Sequence, residues 1–377
     1  MIFHMIMKMY RKRHLRVLPP AGGYYVHVMS RTRGQALLFG EEEKAVFVGM
    51  MRKWADFSGV GVVTHCVMGN HFHMLLYVPP VESVELKEVI RRLRCIWNED
   101  RVEDWFRGYS LIRGEDEQAD YLKAVTDRMY HLPEMMRALK QAFSRWYNAQ
   151  HDAKGTLWED RYRSVVLEGG SGAVLAVSAY IDLNPVRAGI CEDPAFYGWN
   201  GYGEAVKGVA EAREGLKHLI IDRMGGVMPY GARRAQEVML GNDGVDWREI
   251  GNKIEERRKE VVVNANWTDV QGIYRCWLYT KGASGDDKTS RTRKKRKGLN
   301  REDIESVYSS GGTVPQAKML RKKCAYMTRG MALGRAAYVA ALFGRYRERF
   351  GEGRKNAGLK MKGDWGDLRV LLRSGQE

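Results

Sequence analysis

Two apolar extended runs separated by a tight turn constrain the fold of this chain more than any other feature. Residues 60–68 and 71–78 are rich in β-branched and aromatic side chains, and Gly69-Asn70 between them is typical of a hairpin turn. Side chains on a strand alternate between the two faces of a sheet, so His71 and His73 lie on the same face. The sequence therefore predicts a β-hairpin with two imidazoles on one face.

The elements predicted around this hairpin define an α+β fold class. Strands are predicted at residues 24–30 and 161–168, and helices at residues 41–58, 132–148 and 173–183. The order strand, helix, strand, strand, helix, strand is that of a ferredoxin-like βαββαβ antiparallel sheet with helices on one face, followed by one more helix. We expect such a sheet to leave its other face, which carries His71 and His73, open.

Changes in composition along the chain divide it into three segments. We predict a basic N-terminal arm at residues 1–22, a main domain at 23–205 with a helical insertion at about 81–130, and a basic, mostly helical C-terminal extension at 206–377. Within this extension, residues 281–299 contain a charged run with the character of a linker, and residues 300–308 and 316–346 are predicted helices. A helix-turn-helix around Gly311-Gly312 is an alternative for this part.

The charge of the chain indicates a polyanionic partner. Lys and Arg total 62 against 46 Asp and Glu, a formal net charge of +16. An anionic membrane surface would also explain this charge, but no segment has the roughly 20 consecutive apolar residues of a membrane span. Five scattered cysteines without a CxxC pair favour a reducing cytoplasm over a disulfide framework or a zinc ribbon.

Two groups of polar residues are candidates for a site. His71 and His73 are either half of a divalent-metal site or a pair of hydrogen-bonded or solvated histidines. Tyr180 and Asn184 are four positions apart and share a helix face. Asn184 precedes a proline, so its side chain either caps the helix end or is available for another contact.

Four ordered blocks of the sequence resemble the HUH single-tyrosine transposases, specifically the REP-associated branch. The blocks are Met68-Gly-Asn-His-Phe-His-Met-Leu-Leu76, residues 143–164 with Gly155-Thr-Leu-Trp158, Tyr180-Ile-Asp-Leu-Asn-Pro-Val-Arg-Ala-Gly189, and residues 194–202. The resemblance covers roughly residues 24–205. Gly69 stands where the family usually has proline, and residues 79–130 are longer than in a minimal domain.

The resemblance implies a metal-dependent endonuclease and strand-transferase that acts on single-stranded DNA at hairpin sites. It implies that Tyr180 is the nucleophile that forms a 5′-phosphotyrosine. His71, His73 and Asn184 would hold Mg²⁺ or Mn²⁺. It also implies a cytoplasmic, nucleoid-associated protein of a prokaryote, with a monomer and a homodimer both left open.

Several residues have a nucleic-acid interpretation and a structural one. Trp158 and Arg161 either contact nucleic acid or close the core, and Arg187 is either a phosphate contact or an ion-pair partner. His27 and His65, also on strands, are more typical of core or surface histidines than of outer-sphere residues at a metal site. The sequence also predicts nucleic-acid contacts from a run of five basic residues: Arg293, Lys294, Lys295, Arg296 and Lys297.

Two other functions are compatible with the same composition. One is a catalytically silent protein that binds DNA or RNA hairpins, because basic charge alone supplies affinity that does not depend on sequence. The other is a metal-dependent nuclease in which water, rather than a tyrosine, attacks the phosphate.

Overall fold

The computed structural model describes residues 22–224, 267–280, 326–350, 354, 358–361 and 367–372. The strands of the first part are β1 (Tyr24–Arg31), β2 (Gly61–Val67), β3 (His71–Val78) and β4 (Arg163–Leu167). They form an antiparallel sheet in the order β2-β3-β1-β4, which is the ferredoxin-like order. The predicted α+β class with an antiparallel sheet is confirmed.

Helices surround this sheet, and those of the first part follow the predicted order. In chain order the helices are α1 (Glu41–Ser58), α2 (Leu86–Arg94), α3 (Glu99–Leu111), α4 (Glu115–Thr126), α5 (Leu132–Gln150), α6 (Ala173–Asp182), α7 (Asn184–Arg187), α8 (Gly201–Val206), α9 (Ala210–Met224), α10 (Trp267–Thr280), α11 (Tyr326–Arg329) and α12 (Ala336–Arg345). Within these ranges, no helix combines the length and the apolar character that crossing a bilayer requires.

Helices α1 and α5 cover one face of the sheet. Helix α1 starts with three glutamates and ends at Gly59, whose φ of 65° is a left-handed conformation suited to glycine. Its buried Phe47 packs on Phe72 of β3 with ring centroids 4.6 Å apart and meets Phe143 of α5 edge to face at 5.2 Å. This aromatic cluster lies on the face of the sheet opposite the one that carries His71 and His73.

The expectation that the other face is open is wrong. Helices α6, α9 and α10 lie on it, and their apolar side chains form one core cluster with the side chains of the strands. The reason is that the strands are apolar on both faces: Leu75 and Tyr77 alternate with Phe72 and Met74 and are also buried. Near the start of β3 the described residues cover this face less fully, since His71 is half-buried.

Within its described residues, the C-terminal extension adds three strands to the sheet, which the prediction of a mostly helical extension missed. They are β5 (Gly330–Arg335), β6 (Leu359–Lys360) and β7 (Leu368–Leu372), and they give a seven-stranded sheet in the order β2-β3-β1-β4-β5-β7-β6. Strand β5 runs parallel to β4, and Glu168 at the end of β4 accepts hydrogen bonds from the backbone N–H and the guanidinium of Arg335. The predicted helix at 316–346 is therefore wrong over β5.

The segment between β3 and α5 contains three helices. Helices α2, α3 and α4 pack around Val89, Leu93, Val102 and Val125, and this small core joins the main domain through Phe57 of α1. Residues 1–21, the charged run at 281–299 and the Gly311-Gly312 segment lie outside the described residues, so the arm, the linker and the helix-turn-helix stay predictions.

Candidate metal and tyrosine site

Strand register brings basic and histidine side chains together at one end of the sheet. Arg31 of β1 pairs with His71 of β3, and Met29 pairs with His73. Met29 also pairs with Arg163 of β4. Residues paired across an antiparallel ladder share a face. Arg31 and Arg163, which sequence analysis did not single out, therefore flank the two histidines with positive charge.

The ring of His71 is held in a defined orientation. Its Nδ1 lies 2.7 Å from Asn70 Oδ1, and Asn70 Nδ2 donates to the Gln35 carbonyl at 3.1 Å. Because that second bond fixes Oδ1 as the atom facing His71, the His71 Nδ1–H must donate. In the neutral ring, Nε2 then carries the lone pair, which is the state that a metal ligand requires.

His73 lies deeper in the same face. Its side chain is buried, and its Nδ1 is 2.9 Å from Nε2 of His27, a fully buried histidine on β1. Burial lowers the pKa of His73 well below its ordinary value, and the neighbouring His27, His71, Arg187 and Arg31 lower it further. A neutral imidazole with Nδ1 engaged leaves Nε2 as the atom with metal-binding capacity.

Helices α6 and α7 place Tyr180 and Asn184 beside the histidines. The first helix ends at Asp182, and Pro185 occupies the start of the second, so the backbone breaks between the two residues. The Tyr180 ring lies edge to face with His73, with centroids 5.6 Å apart. Asn184 Nδ2 donates to His71 Nε2 at 3.3 Å. The structure thus brings together the four residues that the sequence singled out, and their chemical roles stay predictions.

Arg187 lies over the tyrosine. Its guanidinium carbon is 4.5 Å from the centroid of the Tyr180 ring, a cation–π contact. Its Nη1 is buried and has no hydrogen-bond partner among the described residues. A buried N–H that is left unpaired costs about 1–3 kcal/mol, so this nitrogen favours the arrival of an acceptor. A phosphate oxygen next to the Tyr180 hydroxyl would supply one.

A buried network holds the tyrosine helix. Asp182 accepts from Thr64 Oγ1 of β2 at 2.8 Å and from the hydroxyl of Tyr274 on α10. Burial raises the pKa of Asp182 to about 7, although its hydrogen bonds to Tyr274 and Thr64 act in the opposite direction. Nearby, Asp193 accepts from Arg275 of the same helix at 2.8 Å. The C-terminal extension therefore fixes the helix that carries Tyr180.

We expect Tyr274→Phe to lower the free energy of unfolding by about 1–3 kcal/mol, because it leaves an acceptor of the buried Asp182 unpaired. Urea denaturation measures the loss, and hydrogen exchange should show faster opening of α6. Tyr109→Phe in the insertion is the matched control, since Tyr109 lies on α3 and packs on Trp105 and Tyr121 of the insertion itself. Equal stability of the two variants would contradict the role given to Tyr274.

The other predicted nucleic-acid contacts lie apart from these residues. Trp158 is 8% exposed, packs on Phe72 and Phe143, and donates to Ser144 Oγ at 2.9 Å. This burial favours the interpretation that its ring closes the core, although Trp158 also lines the cleft that contains Arg161. Arg161 is exposed and lines a cleft of about 950 Å³ with Arg145. Residues 293–297 lie outside the described part of the chain.

The residues present fit a divalent metal. Within the described ranges, no three His, Cys, Asp or Glu side chains are arranged to hold a metal ion, so a metal at this place would need the Asn184 carboxamide beside the two imidazoles. Turning the Asn184 amide by 180° places Oδ1 where Nδ2 now faces His71. Three such ligands leave coordination positions open for a substrate.

The fold and the site together define an α+β protein with a ferredoxin-like sheet and a histidine–tyrosine cluster at one end of it. No protein-family model matches the sequence, and no curated protein matches it. A solved structure, a REP-associated tyrosine transposase bound to a REP hairpin, is similar to part of the chain. It covers 53% of this chain and 87% of its own, with 11% sequence identity and a TM-score of 0.31. Values this low establish neither family membership nor function.

His27 is a core histidine, as the sequence indicates, and its buried imidazole also contacts that of His73. The available signal was the alternation Tyr25, His27, Met29, Arg31, which puts His27 on the face of β1 that shares a side with His73. His65 fits the interpretation as a core histidine: it is buried, and its Nε2 lies 3.6 Å from a carboxylate oxygen of Glu204.

Proposed function

We propose that the chain is a metal-dependent single-stranded DNA endonuclease and strand-transferase that uses Tyr180 as its nucleophile. The observation that carries the proposal is the placement of Tyr180 against His73 and of Asn184 against His71, on one face of the sheet. These residues come from β3 and from α6 and α7, more than 100 positions apart in sequence. Their chemistry, a phenol beside two imidazoles, suits phosphoryl transfer to tyrosine.

Each residue has a defined part in the proposed reaction. His71, His73 and Asn184 would hold Mg²⁺ or Mn²⁺, which when bound would polarise the scissile phosphate. The Tyr180 oxygen attacks phosphorus and gives up its proton, forming a bond between the tyrosine and the 5′ phosphate. The bond to the 3′ oxygen breaks, and that oxygen takes a proton to become a free hydroxyl. Arg187 would donate its unpaired Nη1–H to a phosphate oxygen.

The covalent intermediate makes strand transfer possible without a further energy source. The phosphotyrosine ester keeps the energy of the broken phosphodiester, so a second 3′ hydroxyl can attack it and release Tyr180. The sequence resemblance supports a hairpin or palindromic element as the substrate. The positive charge of Arg31, Arg163 and Arg187 near the histidines supports a polyanionic ligand.

A trapping experiment tests the proposal. The full chain is incubated with Mn²⁺ and single-stranded oligonucleotides that carry a stem-loop and a labelled end, and the products are separated under denaturing conditions. We expect a labelled protein–DNA adduct and a fragment with a free 3′ hydroxyl. Cleavage without an adduct would show hydrolysis by water. Tight binding without cleavage would show the catalytically silent hairpin-binding protein, the second function that the composition allows.

The affinity for single-stranded DNA should depend steeply on salt. The net charge of +16 predicts that several phosphates are neutralised on binding, and the logarithm of affinity falls by about 0.7 per phosphate contact for each unit of log salt. Fluorescence anisotropy from 50 to 300 mM salt, as a rough range for this effect, measures the slope. Substituting glutamine for Arg293, Lys294, Lys295, Arg296 and Lys297 should reduce it. A flat salt dependence would contradict binding through the basic surface.

A further inference from the structure

A line of hydrogen bonds runs from the C-terminal extension to His73. Nδ1 of His27 lies 2.8 Å from the carbonyl oxygen of Met327, and Nε2 of His27 lies 2.9 Å from Nδ1 of His73. His27 is fully buried and His73 is 5% exposed. Each contact has the length of a good hydrogen bond, so each must contain one proton.

The direction of these bonds follows from the acceptor at one end. A carbonyl oxygen accepts only, so the Nδ1–H of His27 donates to Met327. Burial favours the neutral ring, in which Nε2 of His27 then carries the lone pair. That lone pair must accept from His73, so His73 carries its proton on Nδ1. The lone pair of His73 is thereby assigned to Nε2, the remaining nitrogen of the ring.

The position of the Met327 carbonyl depends on the C-terminal strands. Met327 is buried in α11, and β5 follows it directly and pairs with β4. The hydrogen bonds from Arg335 to Glu168 hold the other end of β5. The acceptor that sets the proton on His27 therefore belongs to the extension, which docks on β4 of the ferredoxin-like unit.

We propose that His27 is a positioning residue that holds His73 in the tautomer with its lone pair on Nε2, and that the carbonyl of Met327 sets this arrangement. The inference rests on the proposed function in so far as His73 is a metal ligand. Its physical basis is general, because a histidine that binds metal through one nitrogen usually donates its other N–H to a fixed acceptor. In this chain the acceptor is a second histidine, itself fixed by a backbone carbonyl.

Nitrogen-15 NMR of histidine-labelled protein tests the proposal without metal or DNA. In the unsubstituted chain, His73 should show its proton on Nδ1 and His27 should show the same tautomer; a proton on Nε2 of His73 would overturn the proposal. In His27→Phe, which keeps a ring but removes both bonds, we expect His73 to populate the other tautomer. An unchanged His73 tautomer in the folded variant would also overturn it.

Two matched variants separate positioning from packing. His65→Phe replaces another buried strand histidine that does not contact His73, and it should leave the His73 tautomer unchanged. His27→Gln offers an amide oxygen that can accept from His73, and it should restore the Nδ1–H tautomer; failure to do so would contradict the proposal. If His27→Phe does not fold, His27→Gln still tests the proposal through the His73 tautomer.

Metal affinity provides a second readout. We expect Mn²⁺ to bind about 10- to 100-fold more weakly to His27→Phe than to His65→Phe, measured by calorimetry without DNA. Equal affinities would contradict the link to metal binding. If the chain forms no covalent adduct but the tautomer shifts as described, the proposed function fails and the positioning role of His27 stands.

Discussion

Tyr180→Phe is expected to abolish the covalent adduct and to reduce strand cleavage by at least about 10³-fold, because phenylalanine keeps the ring and removes the attacking oxygen. The ring contacts with His73 and Arg187 do not involve the hydroxyl, so the variant should fold and bind single-stranded DNA as the unsubstituted chain does. Denaturing gels with a labelled stem-loop oligonucleotide measure the adduct, and anisotropy measures the binding.

The control for this variant is Tyr109→Phe on α3, which removes a tyrosine hydroxyl far from the histidines. It should retain full adduct formation. If Tyr180→Phe still forms the adduct, another residue is the nucleophile. If Tyr180→Phe and the unsubstituted chain cleave at the same rate and neither forms an adduct, water is the nucleophile. The position of Tyr180 beside His73 then has a structural explanation.

His71→Ala is expected to lower Mn²⁺ affinity and to reduce cleavage by about 10²-fold or more, because under the proposed function it removes one of three metal ligands. His71 is half-buried at the end of β3, so the substitution should cost little stability. Calorimetry measures Mn²⁺ binding without DNA, and cleavage is measured across a range of metal concentrations. Partial rescue at high Mn²⁺ would identify the loss as one of metal affinity.

His131→Ala is the matched control, since His131 is an exposed histidine just before α5 and lies outside the site. It should retain both metal affinity and cleavage. Identical Mn²⁺ binding by the two variants would remove His71 from the ligand set. Loss of cleavage in His71→Ala with unchanged Mn²⁺ binding would instead place His71 in contact with DNA.

The parts of the fold that were predicted correctly depend on local pattern. The hairpin of β2 and β3 follows from two apolar runs around Gly69-Asn70, and α1 follows from its acidic first turn and the glycine at its end. Strand β5 was missed because Met331, Ala332 and Leu333 are good helix formers. Its pairing with β4 is a tertiary effect that local preference does not contain.

The candidate site also has features that local pattern predicts and features that depend on tertiary structure. The shared face of His71 and His73 follows from strand alternation, whereas the approach of Tyr180 and Asn184 was expected only because of the family resemblance. The orientation of His27 toward His73 depends on the register between β1 and β3 and on the carbonyl of Met327. Neither can be derived from the spacing of residues in the sequence. The choice between the two interpretations of Trp158 also needed the tertiary structure, because several of the aromatic side chains that pack on it come from elements distant in sequence.

The hydrogen bond between His27 and Met327 joins residues 300 positions apart. A ribosome adds about 5–20 residues per second, so the first partner emerges about 15–60 s before the second. During synthesis the ferredoxin-like unit can form its hairpin and its aromatic core while the proton positions of its histidines are still unassigned. The hydrogen bonds that orient these two histidines therefore form only after residue 327 has been synthesised, well after the hairpin that carries His73.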